Sequence, residues 1–189
     1  MGGMILVLPK SFVNLEDYRH LPLYFLAGPI LGADDYRRPL ADMLVEAVGD
    51  CIIVTPCRYD SDHPHYQFRM PGDENFFPRQ RAYERHYLHQ AAEVWPAGGI
   101  IFWLAAQRFE RKDGNPYAMD SRDEIAEWRG RKMWNREARI VVGGEPDFPG
   151  LEGIDYCNKD ALGRDFPMHK SLEALVEHAA KYAKQRPLP

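Results

Sequence analysis

Two glutamates carry the residue types and settings that point to chemistry. Glu124 stands in Asp120-Ser121-Arg122-Asp123-Glu124-Ile125, at the start of a stretch expected to be helical to about Gly130. Ser121-x-x-Glu124 is the capping-box pattern, in which a hydroxyl and a carboxylate each satisfy a backbone N–H of the first turn. The same placement sets an acid at the positive end of a helix dipole, which favours its ionised form. An ionised Glu in a pocket can attack an electrophilic carbon. Both readings stay open, and one residue can serve both. Glu84, in Arg81-Ala82-Tyr83-Glu84-Arg85-His86, reads by itself as a solvated helix charge paired with neighbouring arginines. Beside Glu124 it completes a pair of carboxyls on neighbouring helix starts, the arrangement that glycosidic-bond chemistry uses.

Other candidate sites are weaker. Asp60-Ser61-Asp62-His63-Pro64-His65 has metal-ligating residue types, but its order and spacing match no closed zinc or calcium pattern. Arg129-Gly130-Arg131-Lys132 through Arg136 and Arg139 reads as a solvated, basic helix end rather than a nucleic-acid surface. Neither G-x-G-x-x-G nor G-x-x-x-x-G-K-[ST] occurs. A formal net charge of -4 gives no broad electrostatic footprint for nucleic acid or an anionic membrane. It leaves room for a small anionic ligand held by local arginines.

The elements that must position the glutamates follow from the apolar runs. Leu23-Tyr24-Phe25-Leu26-Ala27, stopped by Gly28-Pro29, reads as the first buried strand. Leu40, Met43, Leu44 and Val48 then fall at helical spacing. Cys51 to Thr55 is a second strand. A polar loop from Arg58 to Pro78 follows, long enough at about 20 residues to suggest a functional segment. Arg79 to Val94 is a helix with Tyr83, Tyr87, Leu88 and Ala91 on one face, and Gly99 to Leu104 is the third strand. Ala138 to Val142 is the fourth, Ile154 to Cys157 a short fifth, and a helix capped by Ser171 closes the chain over 171–186.

Strands alternating with helices predict a single α/β domain over 1–189, with 1–20 as an N-terminal extension. Its fold is expected to be a doubly wound, flavodoxin- or Rossmann-like, mostly parallel sheet of about five strands with helices on both faces. Ligands of such sheets bind outside the carboxyl ends of the strands. The 189 residues are 45% hydrophobic, with three widely spaced cysteines and no run of the roughly 20 apolar residues that a membrane helix needs. These features suggest a soluble, cytoplasmic domain without a disulfide framework or membrane partner.

Four segments in order resemble the nucleoside 2-deoxyribosyltransferase family, in its divergent transferase-like branch. Tyr24-Phe25-Leu26-Ala27-Gly28-Pro29-Ile30 resembles the family's first strand and Ala-Gly-Pro loop. Val54-Thr55-Pro56-Cys57-Arg58 resembles its second strand, ending in a Pro and a basic residue. Tyr83-Glu84 through Ala91, then Ile100-Ile101-Phe102-Trp103, resembles the helix with an aromatic-Glu start and the apolar strand after it. Ser121-Arg122-Asp123-Glu124-Ile125 resembles the Ser-x-x-Glu-Leu/Ile motif that carries the nucleophile.

The resemblance implies that Glu124 attacks C1′ of a 2-deoxyribose, that Glu84 assists the leaving base or positions the sugar, and that configuration is retained through two displacements. It further implies substrate contacts from Ala27, Gly28, Pro29, Arg58, Asp120 and Ser121, with stacking faces from Tyr36 and Trp103. The expected partners are a nucleoside or nucleotide and a nucleobase, in a homo-oligomer needing no metal or organic cofactor. The chain departs from the family at Glu124-Ile125-Ala126, where Glu-Leu-Gly is usual, and at Ala97-Gly98, where Ala-Asp is common. Hydrolysis of the same N-glycosidic bond and non-catalytic nucleotide binding are the alternative functions.

Overall fold

The computed structural model describes residues 3–57, 77–111 and 114–184. Five strands, β1 (Met4–Val7), β2 (Leu23–Ala27), β3 (Cys51–Val54), β4 (Gly98–Leu104) and β5 (Ile140–Gly144), form one sheet in the order β1-β3-β2-β4-β5. Every pairing is parallel. Five helices cover it: α1 (Arg37–Val48), α2 (Phe77–His89), α3 (Met119–Trp134), α4 (Leu151–Leu162) and α5 (Leu172–Ala180). No helix of the described residues is long and apolar enough to cross a membrane.

The period-two geometry of a strand sorts the core into two layers. Leu23, Phe25, Ala27, Ile100, Phe102, Leu104, Ile140 and Val142 share one cluster with Tyr83, Tyr87 and Leu88 of α2 and Ile125 and Trp128 of α3. Their neighbours Tyr24, Leu26, Ile101, Trp103 and Val141 pack with Leu40, Ala41 and Leu44 of α1 and Leu175, Val176 and Ala179 of α5. Both faces of every central strand are therefore apolar, which is why the strands read as continuous runs rather than alternating ones. Leu151, Ile154 and Leu162 of α4 join the α3 side.

Direction reverses at the centre of the sheet. From β2 the chain turns through α1 to β3 on one side, then crosses by α2 to β4 on the other. The carboxyl ends of β2 and β4, adjacent over Leu23↔Gly98 to Ala27↔Phe102, thus flank the switch point where doubly wound sheets open a crevice.

Several expectations need correction. The fifth strand is Met4–Val7, within the presumed extension: it pairs with β3 from Met4↔Cys51 to Val7↔Val54. Ile154–Cys157 belongs to α4 instead, because β5 already ends the sheet and Leu151, Ile154 and Leu162 fit helical spacing against the core. The helix after the long loop changes to π-helical winding over Gln90–Val94. Arg139 is not part of a solvated basic face. It is buried, and its guanidinium donates to the carbonyls of Ala91, Trp95 and Pro96 at the end of that winding. The C-terminal helix keeps its Ser171 cap, whose Oγ accepts from Ala174 N at 3.3 Å, but ends at Ala180 and continues as a 3-10 turn to Ala183.

Candidate active site

A cleft of about 190 Å³ opens at the carboxyl edge of the sheet, lined by the loop after β2, Pro56 after β3, the middle of α2 and the start of α3. Gly28, Pro29, Gln80, Arg81, Glu84, Asp120, Ser121 and Glu124 all face it, with Ile30, Leu31 and Met119 partly exposed at the mouth. It is smaller than a pocket for a drug-sized molecule and fits a sugar-sized group.

Local packing fixes each wall. The Tyr83 hydroxyl lies 3.0 Å from Val7 O and 2.9 Å from Thr55 O, tying α2 to the ends of β1 and β3. That anchor sets the next residue, Glu84, over the cleft. Tyr117 donates to Ala105 O at 2.7 Å and so docks the start of α3 beyond β4. Arg37, buried under the loop after β2, donates to Leu26 O at 3.4 Å, Gly28 O at 2.6 Å and Pro29 O at 3.0 Å. One guanidinium therefore holds two carbonyls of the Ala-Gly-Pro turn and reaches back to one in β2.

The two glutamates meet across one arginine. Arg81 Nη1 is 3.6 Å from Glu84 Oε2 and 4.0 Å from Glu124 Oε1. A shared nitrogen keeps the carboxyls within the several-ångström separation that glycosidic-bond chemistry uses. Their side chains are only 14% and 17% exposed, so each is largely stripped of water while still reaching the cleft. Burial pushes the Glu124 carboxyl up to about 8, helped by the charges of Glu84 and Asp120 and opposed by Arg81 and Arg37. Burial and the charge of Asp120 also raise Glu84, against a hydrogen bond from Gln80 and the charge of Arg81.

These positions revise the expected electrostatics. α3 begins at Met119 after a left-handed Ala118 with no side-chain cap, so Ser121 is its third residue and Glu124 its sixth. The capping box does not form, and Glu124 lies past the turn where the dipole acts most strongly. Glu84 is the eighth residue of α2, not part of its first turn. With burial dominant over the dipole, Glu124 is mostly protonated at neutral pH.

Neither a protein-family model nor a curated protein matches the chain. The assignment of residues therefore rests on the geometry.

The cleft brings together Gly28, Pro29, Glu84, Asp120, Ser121 and Glu124 among the residues picked from sequence. It does not include Ala27, which is buried in the core with its carbonyl taken by the Tyr36 hydroxyl at 3.3 Å. Tyr36 and Trp103, expected as stacking faces, are 6% and 4% exposed and packed in the α1–α5 layer. Neither lines the cleft, although the Tyr36 hydroxyl lies beneath Gly28 and near enough to Glu124 to feel its charge. Gly28 adopts φ +134°, and a Cβ there would stand 2.1 Å from Trp103 O and 2.4 Å from the Tyr36 hydroxyl. The close approach it permits is to β4, not to a ligand. Arg58 and the His-Asp segment 60–65 lie outside the described residues; among the described residues no cluster of His, Cys, Asp and Glu is arranged to hold a metal.

Of the departures from the family pattern, Gly98 enters β4 at φ +98°, where a Cβ would fall 1.9 Å from Leu23 O. An Asp cannot stand there, and the position is at the amino end of the strand, remote from the cleft. Ala126 is exposed and is not a lining residue. The residues missed from sequence are Gln80, Arg81, Arg111 and Arg37. Gln80 and Arg81 precede Glu84 by four and three positions, the spacing at which helix side chains meet, and that was the usable signal.

Proposed function

We propose that this cleft cleaves the N-glycosidic bond of a nucleoside or nucleotide, acting as a nucleoside 2-deoxyribosyltransferase. What supports the reading is a single feature: two water-shielded carboxyls, Glu84 and Glu124, share one guanidinium in a sugar-sized cleft at the switch point of the sheet. The resemblance in the four ordered segments adds the substrate class.

In the first displacement a carboxylate oxygen of Glu124 attacks C1′. The C1′–N bond breaks, its electron pair goes to the base nitrogen, and Glu84 or a proton passed through it neutralises the departing base. In the second, a nitrogen of an incoming base attacks C1′, the bond from C1′ to the Glu124 oxygen breaks to return the carboxylate, and the base's N–H proton passes back to Glu84, so configuration is retained overall. Water in place of that base gives hydrolysis. Arg81 steadies whichever carboxylate is charged as the reaction proceeds. The displacement draws on no metal or organic cofactor, and the resemblance adds a cytoplasmic homo-oligomer.

The test is incubation with deoxynucleosides, with and without an acceptor base, for the native protein and Glu124→Ala. Base release should fall by at least about a thousandfold on removing a nucleophile. Equal release by both proteins rules the proposal out. Trapping with a 2-fluoro-deoxynucleoside should label the peptide that contains Glu124.

One observation favours a second assignment of roles. Glu124 is held protonated to about pH 8, which suits an acid better than a nucleophile. The pH dependence of kcat/KM separates the two. It rises through about 8 if Glu124 must be ionised to attack, and falls through about 8 if Glu124 donates the proton.

A further inference from the structure

Gln80 bears on the state of the carboxyl pair from the wall of the cleft. Its Nε2 donates to Glu84 Oε1 at 2.7 Å and to Pro56 O at 3.4 Å. Both partners are acceptors, so only the NH2 end of the amide fits between them, and both of its hydrogens are committed. The Pro56 carbonyl belongs to the segment leaving β3, two residues past a strand paired on both sides and one past Thr55, whose N–H donates to Val7 O. The amide is thus anchored at one end to the sheet and aimed at the other end into Glu84.

A donor with no acceptor turned toward Glu84 has a definite consequence. It stabilises the carboxylate and gives nothing to a carboxylic acid's O–H. Glu124 has no such amide donor. It faces Glu84 and Arg81 of α2, Asp120 of its own helix and Arg37 of α1. Glu84 in turn faces Gln80 and Arg81 of α2 and Asp120 of α3. Arg81 stands between the two carboxyls at similar distances, so it does not decide between them. Deeper burial of Glu124 sets the first part of the asymmetry, and the Gln80 amide, which reaches Glu84 and not Glu124, adds to it.

We propose that Gln80 is the positioning residue of the pair: its amide holds Glu84 as the carboxylate and leaves the pair's proton on Glu124. It acts through Glu84 and from the wall of the cleft, and it fixes which oxygen of Glu84 remains turned toward Arg81. Glu84 Oε1 is occupied by the amide while Oε2 faces the guanidinium. The inference rests on Glu84 and Glu124 being the working pair of the proposed reaction, in the second assignment of roles, where Glu124 donates the proton and Glu84 is the carboxylate that attacks.

The experiment is a carboxyl titration by NMR on protein carrying 13C-labelled glutamate, with Glu84→Gln and Glu124→Gln used to assign the two signals. Three proteins are compared: native, Gln80→Met, which keeps the length but removes both donors, and Gln80→Lys, which keeps a donor and adds charge. In the native protein Glu84 titrates below Glu124. Gln80→Met should raise the Glu84 midpoint by about one pH unit, and Glu124 should fall as the charge opposing it is lost. Gln80→Lys should move Glu84 the other way. Opposite shifts in the two variants cannot come from a general loss of structure. The same displacement should appear in the pH limbs of kcat/KM. A Glu84 midpoint unmoved in both variants, or a native Glu84 that titrates above Glu124, overturns the inference. Because the titration needs no turnover, a native protein that cleaves no nucleoside would defeat the proposed function and leave the titration to be judged separately.

Discussion

Replacing Glu124 by Gln should make the protein more stable while abolishing the proposed cleavage. The carboxyl titrates near 8 in the folded chain against an ordinary 4.5, chiefly because it is buried. An acid raised in this way is fully accommodated below about pH 4.5, where it is protonated in both states. Its contribution is lost progressively as pH rises to about 8, because the unfolded chain is free to ionise and the folded one is not. At pH 7 the group must take up a proton on folding, a cost of about 2.5 pH units, or roughly 3 kcal/mol. An amide of the same shape carries no such cost. The attraction of Arg81, 4.0 Å away, already opposes the rise and is contained in that value. The net expectation for Glu124→Gln is a gain of about 1–3 kcal/mol at pH 7, small at pH 5 and larger at pH 8.5. Urea denaturation of both proteins at these three pH values measures it. If the difference between them does not grow with pH, or if the variant is the less stable at pH 8.5, the account of Glu124 as a buried, strained acid is refuted. Such a trade of stability for a reactive group is common at catalytic sites.

Three further outcomes follow from the packing. Gly28→Ala should cost more than about 2 kcal/mol, since a Cβ would meet the Trp103 carbonyl oxygen at 2.1 Å, whereas Gly153→Ala, with nothing within 4 Å, should stabilise α4 by about 0.5–1 kcal/mol; denaturant midpoints test both. Tyr36→Phe should cost about 1 kcal/mol through the lost bond to Ala27 O and leave KM for any ligand of the cleft unchanged, which steady-state kinetics would show. His178, whose Nδ1 lies 2.9 Å from His169 Nε2, is held down to about 4 by burial and by the charges of His169, Lys181 and Lys132. The stability it lends is present above about pH 6.5 and lost as pH falls toward 4. Discounted for a half-exposed ring, the loss is about 1–2 kcal/mol, and His178→Gln should reduce the acid sensitivity by that amount in denaturation curves at pH 7.5 and 4.5.

The central strands were legible in the sequence because each is apolar on both faces, so Leu23–Ala27, Cys51–Val54 and Gly98–Leu104 needed no knowledge of their partners. The inner face of α2 was legible for a similar reason: Tyr83, Tyr87, Leu88 and Ala91 repeat at helical spacing, and all are buried. Short segments were not. Met4–Val7 and Ile154–Cys157 are both brief apolar runs, and only the free edge of β3 makes a strand of the first while the covered α3 side makes a helix of the second. The candidate glutamates could be named from the chain, yet their electrical state could not. Helix starts inferred from a Ser-x-x-Glu pattern put Glu124 under the dipole, whereas the tertiary structure moves it a turn inward, beneath a second carboxyl and a shared arginine. Aromatic residues at a strand end and a helix start gave no sign of which side of the sheet they face. Residue types and spacing thus determined the sheet and the pair of acids. Burial, a property of the whole fold, set which acid holds its proton more tightly and placed Tyr36 and Trp103 in the core.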